Sequence, residues 1–132
     1  MKRFLGLLAV VAFSCCAWAQ NVTYQVKYKY AYDMQKYEYI DSLSYAEGKI
    51  LKMGDTAISI NGDNYVVDNK DSDTATDTRK MLQYTVHNTK GEQFVICFSH
   101  ELTFPDELAH QVIIFNVNNP YHWQYFITDE GK

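Results

Sequence analysis

The sequence predicts an all-β fold: a single antiparallel meander of seven or eight strands that forms a small barrel or a strongly coiled sheet or sandwich. Apolar and polar residues alternate with a period of two along most of the chain, and no window shows the apolar stripe of a helix. The segments between the alternating runs are short and rich in turn residues, which is typical of hairpins. A sheet with one strongly apolar face must curl on itself or pack against a second sheet, so one closed or coiled domain is expected.

The first 19 residues have the pattern of a cleaved secretory signal peptide. Two cations precede an apolar run at residues 4–13, and Ala17-Trp18-Ala19 matches the small-x-small motif before a cleavage site. The apolar run is too short to span a membrane as a helix. A lipoprotein signal at Cys15 or Cys16 is the alternative. We therefore expect a secreted protein of the periplasm or cell surface, with a signal of bacterial type and no transmembrane segment in the mature chain.

After this leader the sequence indicates one β-domain at 20–128 and a polar tail at 129–132. The formal net charge of the whole chain is −4 at pH 7, and the leader carries two of the cations, so the mature domain is more acidic still. Nucleic acids and anionic membranes attract clustered Lys and Arg, which argues against both as partners. Of the three cysteines only Cys97 lies in the domain, so no internal disulfide is expected.

The first predicted strand, at about 21–32, has Val or Tyr at every second position. Lys27 and Lys29 occupy the other side, which must therefore face water. We expect the Val/Tyr side to form one wall of the core, with an aromatic binding surface as the alternative. This row consists of Val22, Tyr24, Val26, Tyr28, Tyr30 and Tyr32.

A turn at 33–36 leads to a second alternating run at 37–45. This run places Tyr37, Tyr39, Leu43 and Tyr45 on one side, and Asp41 interrupts the row. Residues 46–48 are predicted to form a bend or a bulge at the glycine, and a turn at 54–55 follows the next short strand.

Two turn assignments fix the registers of the middle hairpins. A four-residue loop at 61–64 would pair Ile60 with Tyr65 and Ile58 with Val67, which separates polar from apolar positions better than a two-residue turn. A turn at 88–91 with a left-handed glycine sorts the next hairpin into two faces. The expected pairs are Val86–Phe94, Tyr84–Ile96 and Leu82–Phe98 on the apolar face, and Thr85–Val95, Gln83–Cys97 and Met81–Ser99 on the mixed face.

The remaining segments are a loop, a connection and a last hairpin. Residues 68–80 have no periodicity and are predicted to form a mobile acidic loop, with cation binding left open because the calcium-loop pattern is incomplete. The connection at 101–110 is predicted to turn at Pro105-Asp106 and to form about one helical turn. Strands are predicted at 111–117 and 122–128.

The outline is similar to that of lipocalin-like ligand carriers, but the Gly-x-Trp motif of that family is missing near the first strand, so the similarity concerns the fold alone. None of the four histidines lies in a zinc motif, and neither a metal nor a cofactor is expected. Cys97 lies between Ile96 and Phe98 and opposite Gln83, which is typical of an inert strand residue.

We expect a non-enzymatic domain that binds a small ligand or a protein partner, since barrel mouths and sheet edges are where such folds bind. The candidate binding residues are aromatic groups near predicted strand ends or turns: Tyr28, Tyr30, Tyr37, Tyr39, Tyr121 and Trp123.

Two other functions stay open. One is a small hydrolase that uses Asp41 or Glu101 with His100 or His110, which requires these groups to meet in a concavity. The other is a structural or assembly component that dimerises through an exposed edge strand, with Cys97 as a possible second route to a dimer.

Overall fold

The structure, a computed structural model, describes residues 21–132 and is almost entirely antiparallel β-sheet. The predicted signal peptide lies outside the described residues. A single turn of 3-10 helix, Asp106–Leu108, interrupts the connection between the seventh and eighth strands. The nine strands are β1 Asn21–Asp33, β2 Glu38–Tyr45, β3 Lys49–Met53, β4 Ala57–Ile60, β5 Asp63–Ala75, β6 Arg79–His87, β7 Gln93–Glu101, β8 His110–Asn116 and β9 His122–Thr128.

Eight of these strands close into a barrel, and β2 is added outside the closed ring. The sheet order is β2-β1-β3-β4-β5-β6-β7-β8-β9, and β1 also pairs with β9, which closes the ring. The first half of β1 pairs with β3, and its second half pairs with β9 on one edge and β2 on the other. The antiparallel barrel predicted from the alternation is confirmed, with one strand more than the predicted seven or eight.

A bulge in β1 exchanges the two faces of this strand in its middle. Val26 pairs with Thr128 but Tyr28 pairs with Ile127, so one extra residue is inserted into β1 at this point. Before the bulge, Tyr24 lies opposite the fully buried Ile50 in the core. After it, Tyr30 lies opposite Tyr125 on the outside of the barrel. The sequence predicted the whole row on the inside; this is correct for Tyr24 and Val26 and wrong for Tyr28, Tyr30 and Tyr32.

The core fills the barrel with side chains from β1 and β3 to β8, and Phe126 of β9 packs against them. The core consists of Val26, Ile50, Ile58, Ile60, Tyr65, Tyr84, Val86, Ile96, Phe98, Val112 and Ile114. One polar network enters this core: the Tyr84 hydroxyl donates to Asp55 Oδ1 at 2.6 Å, and Lys52 Nζ lies 5.7 Å from the centre of the Tyr84 ring. The hydrogen bond from Tyr84 holds the pKa of the Asp55 carboxyl below its usual value.

The hairpin β6–β7 has the register that its turn predicts. Val86 pairs with Phe94, Tyr84 with Ile96 and Leu82 with Phe98, and the three pairs predicted for the other face are also confirmed. Gly91 has a φ of 82°, and its N–H donates to the Asn88 carbonyl at 3.0 Å. The Asn88 side chain accepts from the N–H groups of Lys90 and Glu92, so this one residue organises the turn.

The hairpin β4–β5 has a tighter turn than predicted. Ile60 pairs with Asp63 and Ile58 with Tyr65, so the turn has two residues and the predicted four-residue loop is wrong. Asn61 and Gly62 both have positive φ, as a type I′ turn requires, and Asn-Gly is the preferred pair for it. The Asn61 side chain also accepts from the N–H of Lys49 at 2.9 Å, which fixes the turn against β3.

The segment predicted as an acidic loop at 68–80 is instead the outer part of the β5–β6 hairpin. β5 continues to Ala75 and β6 begins at Arg79, so only 76–78 form the turn. The side chains are mostly exposed, as the composition indicates. Polar residues can form this ladder because it needs backbone hydrogen bonds to β6 and no buried face.

The last four residues continue alongside the first half of β1. The N–H of Thr23 donates to the Lys132 carbonyl at 2.9 Å, and the N–H of Lys132 returns a bond to the Thr23 carbonyl at 3.0 Å. Gly131, with a φ of 84°, lies so close to β1 that an added Cβ would be 2.6 Å from Val22 Cγ1 and 2.7 Å from the Tyr24 ring. The predicted polar tail thus lies against the barrel wall where β9 ends.

We expect Gly131→Ala to lower the free energy of unfolding by about 2 kcal/mol, because it adds a steric clash to the strain of a positive φ. Gly91→Ala is the matched control, since Gly91 has nearly the same φ and no atom within 4 Å of the new Cβ. It should cost about 1 kcal/mol. Urea unfolding of both variants measures the difference, and equal losses would show that the close contact of Gly131 with β1 contributes nothing.

Candidate functional site

One end of the barrel opens into a cavity of about 450 Å³, which we call the histidine mouth. Its floor is the upper layer of the core, formed by Tyr24, Leu82, Phe98 and Val112. Its rim is polar and charged. The rim side chains include Asp73, Lys80, His100, His110, Thr128 and Glu130.

Strand pairing explains how the rim residues come together. Leu82, Phe98 and Val112 are cross-strand partners on β6, β7 and β8, and all face the inside. Side chains two positions along a strand share its face. The next inward layer towards the strand ends is therefore Lys80, His100 and His110, which pair with one another in the same order.

The two histidine rings stack on each other at the edge of this cavity. Their centroids are 4.2 Å apart and their planes differ by 24°. Burial lowers the pKa of His110, and the neighbouring His100 lowers it further, while Glu130 and Asp129 act in the opposite direction. The depressed pKa favours the neutral form of His110, which has one ring nitrogen that donates and one that accepts.

The charges around the mouth are mixed in sign. Lys80 is a cation on the rim, and Glu130 and Asp73 are anions there. Asp73 is also paired with Lys70, whose Nζ lies 3.3 Å from Asp73 Oδ2. Lys70 contacts Asp55 at 3.4 Å as well, so the acidic side of the rim is connected to the polar network of the core.

The residues considered for hydrolysis do not all meet here. His100 and His110 converge in a concavity, as that hypothesis requires, but the two acids lie elsewhere. Glu101 is on the outer face, where it accepts from Arg79 Nε at 2.7 Å and from the Ser99 hydroxyl. Asp41 lines a separate cavity with Lys29 and Gln124.

The six aromatic residues predicted for binding lie outside the barrel. Tyr30 stacks on Tyr125 with centroids 4.3 Å apart and contacts Tyr39 edge-on at 5.9 Å. Tyr28 stacks on Tyr45, and Trp123 stacks on Phe115. We call this set the aromatic surface: Tyr28, Tyr30, Tyr32, Tyr39, Tyr45, Phe115, Trp123 and Tyr125.

Tyr37 and Tyr121 lie beyond this surface, in the two turns at its end. These turns are joined by a hydrogen bond from the N–H of Met34 to the Tyr121 carbonyl at 2.7 Å. Both side chains are exposed, and Tyr37 has a positive φ of 57°. The six predicted residues are thus near one another, although they do not line the histidine mouth.

Bulges in β2 remove Asp41 from the tyrosine row that it interrupts in the sequence. Asp41 pairs with Ala31, whereas Tyr39 pairs with Tyr32, and the register shifts between these two pairs. Ala31 is buried and faces the inner side of β1. Asp41 is therefore directed away from the aromatic surface, which is uninterrupted by an acid at this position.

Cys97 is buried on the outer side of β7, opposite Gln83 as predicted. Burial raises the pKa of its thiol to about 11, so very little thiolate exists at neutral pH. The thiol is poorly placed for nucleophilic chemistry or for a disulfide between two molecules.

Residues 21–132 contain no group of three or more His, Cys, Asp and Glu side chains that could hold a metal ion. Within the same residues, no helix is long and apolar enough to cross a membrane. The chain matches no protein-family model, no curated protein and no solved structure.

Sequence reasoning missed most of the mouth. The register of β6–β7 already places Lys80 next to His100, and this signal was sufficient to find these two of the six rim residues. To place His110 on the rim, the register between β7 and β8 must be known, and to place Glu130 there, the path of residues 129–132 must be known. No turn motif specifies either one.

The histidine pair predicts a pH dependence of stability. Because the folded-state pKa of His110 is below the unfolded value of about 6.5, the unfolded chain binds more protons at acidic pH. The loss of stability caused by the depressed pKa of His110 is absent well above pH 6.5 and grows as the pH falls through the unfolded pKa. His110→Gln should therefore flatten the decline in stability between neutral and mildly acidic pH, measured by urea unfolding at several pH values. An unchanged slope would contradict this role of His110.

The aromatic surface predicts unequal effects of two tyrosine truncations. Tyr30→Ala removes a half-buried ring and its contacts with Tyr125 and Tyr39, so it should cost about 2 kcal/mol of unfolding free energy. Tyr121→Ala removes a side chain that is 50% exposed and leaves the backbone bond to Met34, so its cost should be below about 0.5 kcal/mol. Thermal and urea unfolding measure both, and similar losses would show that the stacked pairs contribute little.

Proposed function

We propose that this domain, after export, binds a small amphipathic molecule in the histidine mouth. The observation that carries the proposal is an apolar floor at the end of a closed barrel, bordered by two converging imidazoles. Barrel mouths are frequent ligand sites, and the cavity volume lies within the usual range for such sites.

The floor supports an apolar body in the ligand. Phe98 and Val112 are buried core residues, and Tyr24 packs against Phe98 with centroids 5.4 Å apart. Their upper surfaces are the part of the core that a ligand reaches. Covering about 100 Å² of apolar surface would contribute about 2.5 kcal/mol to binding.

The rim supports a neutral polar head group that both donates and accepts hydrogen bonds. A neutral His110 offers both functions, Lys80 donates, and Glu130 accepts. Since the cation on the rim is balanced by acids, a strongly charged ligand of either sign gains little. A hydroxyl or amide head group on an apolar body fits these side chains best.

The proposal is binding without catalysis. Among the described residues, the hydrogen bond between a histidine and a carboxylate joins His87 Nδ1 to Asp68 Oδ1 at 2.8 Å, away from this cavity. Positioned acid–base chemistry needs a carboxylate that orients the imidazole or receives its proton. The proposed role agrees with the expectation of a non-enzymatic domain.

A substitution that fills the cavity tests the proposal. Ala75 lines the mouth at the exposed end of β5, so Ala75→Trp blocks the entrance without disturbing the core. The neutral fluorescent probe N-phenyl-1-naphthylamine should bind the wild-type protein. Ala75→Trp should weaken this binding at least about tenfold, which corresponds to a loss of about 1.4 kcal/mol of binding free energy.

Lys90→Trp is the matched control, because Lys90 lies in the β6–β7 turn at the opposite end of the barrel. It adds the same side chain and should leave the affinity unchanged. Absence of probe binding to the wild-type protein, or equal binding by both variants, would refute a ligand site in the mouth.

A further inference from the structure

We propose that the exposed edge of β2 pairs with β2 of a second copy of this chain, in an antiparallel ladder whose two-fold axis passes through Ser42. This inference is independent of ligand binding in the histidine mouth. It rests on the unpaired edge of β2, the tyrosines on its two ends and the positions of its carboxylates.

The first observation is the state of the edge. Within residues 21–132, β2 pairs with β1 alone, so its other edge carries backbone donors and acceptors without a strand partner. All eight of its residues are exposed. Proteins commonly protect such an edge with Lys, Pro or bulges. β2 contains neither Lys nor Pro, and its two bulges fall between Tyr39 and Ser44, which leaves both ends of the strand regular.

The second observation is the position of the aromatic side chains. Tyr45 pairs with Tyr28 and Tyr39 pairs with Tyr32, so both ends of β2 contribute to the aromatic surface. With Ser42 on the two-fold axis, Tyr39 of one copy lies opposite Tyr45 of the other, and this pair occurs twice. Cross-strand aromatic pairs are among the most favourable in antiparallel sheets.

The third observation is charge. In the Ser42 register, Asp41 pairs in position with Leu43 of the second copy but is turned to the inner side with Ala31 by the β2 bulge. The position opposite Glu38 lies beyond the end of β2, so no two carboxylates face each other. A shift of one residue that places Asp41 on the axis brings the two Asp41 side chains together, which is unfavourable. If the axis instead passes between Asp41 and Ser42, Tyr45 lies opposite Glu38 and Tyr39 lies opposite Ser44, so no two tyrosines are paired. Only the Ser42 register pairs the aromatic rings and also separates the acids.

The fourth observation is area. Tyr37, Tyr39 and Tyr45 are 77%, 63% and 85% exposed, which offers about 450 Å² per copy at about 200 Å² for each tyrosine. Ile40 and Leu43 are also exposed. Together these side chains expose about 600 Å² per copy, so the interface can bury at most this area, which places it at or below the smallest stable interfaces. The dimer is therefore expected to be reversible.

A cysteine on the proposed axis tests both the dimer and its register. Ser42→Cys brings two thiols within disulfide distance across the axis. Ser44→Cys, on the same strand, keeps its thiols about 13 Å apart, beyond the reach of a disulfide. Mild oxidation should convert most of the Ser42→Cys protein to a covalent dimer and leave Ser44→Cys monomeric, and the buried Cys97 thiol should not compete.

A charged side chain next to the axis tests the same register without covalent chemistry. Leu43 lies one position from the axis in each copy, so Leu43→Asp brings two added carboxylates near each other, whereas Leu43→Asn adds a neutral side chain of the same size. By light scattering after size exclusion, Leu43→Asp should raise the dimer dissociation constant about tenfold and Leu43→Asn should raise it less. Leu43 is exposed, so circular dichroism should show both variants folded.

Three results would overturn the proposal. The wild-type protein could stay monomeric at sub-millimolar concentration, Ser44→Cys could crosslink as well as Ser42→Cys, or both Leu43 variants could dissociate the dimer equally. The last result would indicate a general hydrophobic contact without this register. A failure of the probe to bind the histidine mouth would refute the proposed ligand site and would leave the proposed dimer standing.

Discussion

The structure depends on one constraint: β1 needs hydrogen-bonding partners for its backbone on both of its edges along thirteen residues. Its first half lies between β3 and the last four residues, and its second half lies between β2 and β9. A single regular strand would present one row of side chains to the core throughout. The bulge between Val26 and Tyr28 allows the inner row to end and the outer row to begin.

This exchange of faces produces two different surfaces from one tyrosine-rich strand. Tyr24 remains inside, packs against Phe98 and forms part of the floor of the histidine mouth. Tyr30, six positions later, stacks outside on Tyr125, and burial raises the pKa of its hydroxyl. A hydroxyl that stays protonated can donate a hydrogen bond while its ring is packed, so Tyr30 combines a packed ring with a polar group at its end.

The accuracy of prediction differed between segments for physical reasons. The β6–β7 hairpin was predicted pair by pair because the Asn88–Gly91 turn and the apolar alternation specify the same register. The β4–β5 turn was misjudged because polarity was weighed above the strong type I′ preference of Asn61-Gly62. The bulge in β1 leaves no mark on a period-two pattern when tyrosine is acceptable on both faces. Of the mouth, the sequence predicted only that His100 and His110 could meet, because they are joined by a long connection whose register no motif defines.

The hydrogen bonds between the beginning of β1 and residues 129–132 also set an order of events for folding. Thr23 and Lys132 are at opposite ends of the described chain, yet they share two backbone bonds. Such distant contacts form slowly because the intervening chain must first be brought together. When the polypeptide emerges N-terminus first, from a ribosome or a translocation channel, β1 lacks its partner β9 until that strand has also emerged. The ring can therefore close only after β9 has emerged, and until then this tyrosine-rich strand is the segment that a chaperone would have to shield.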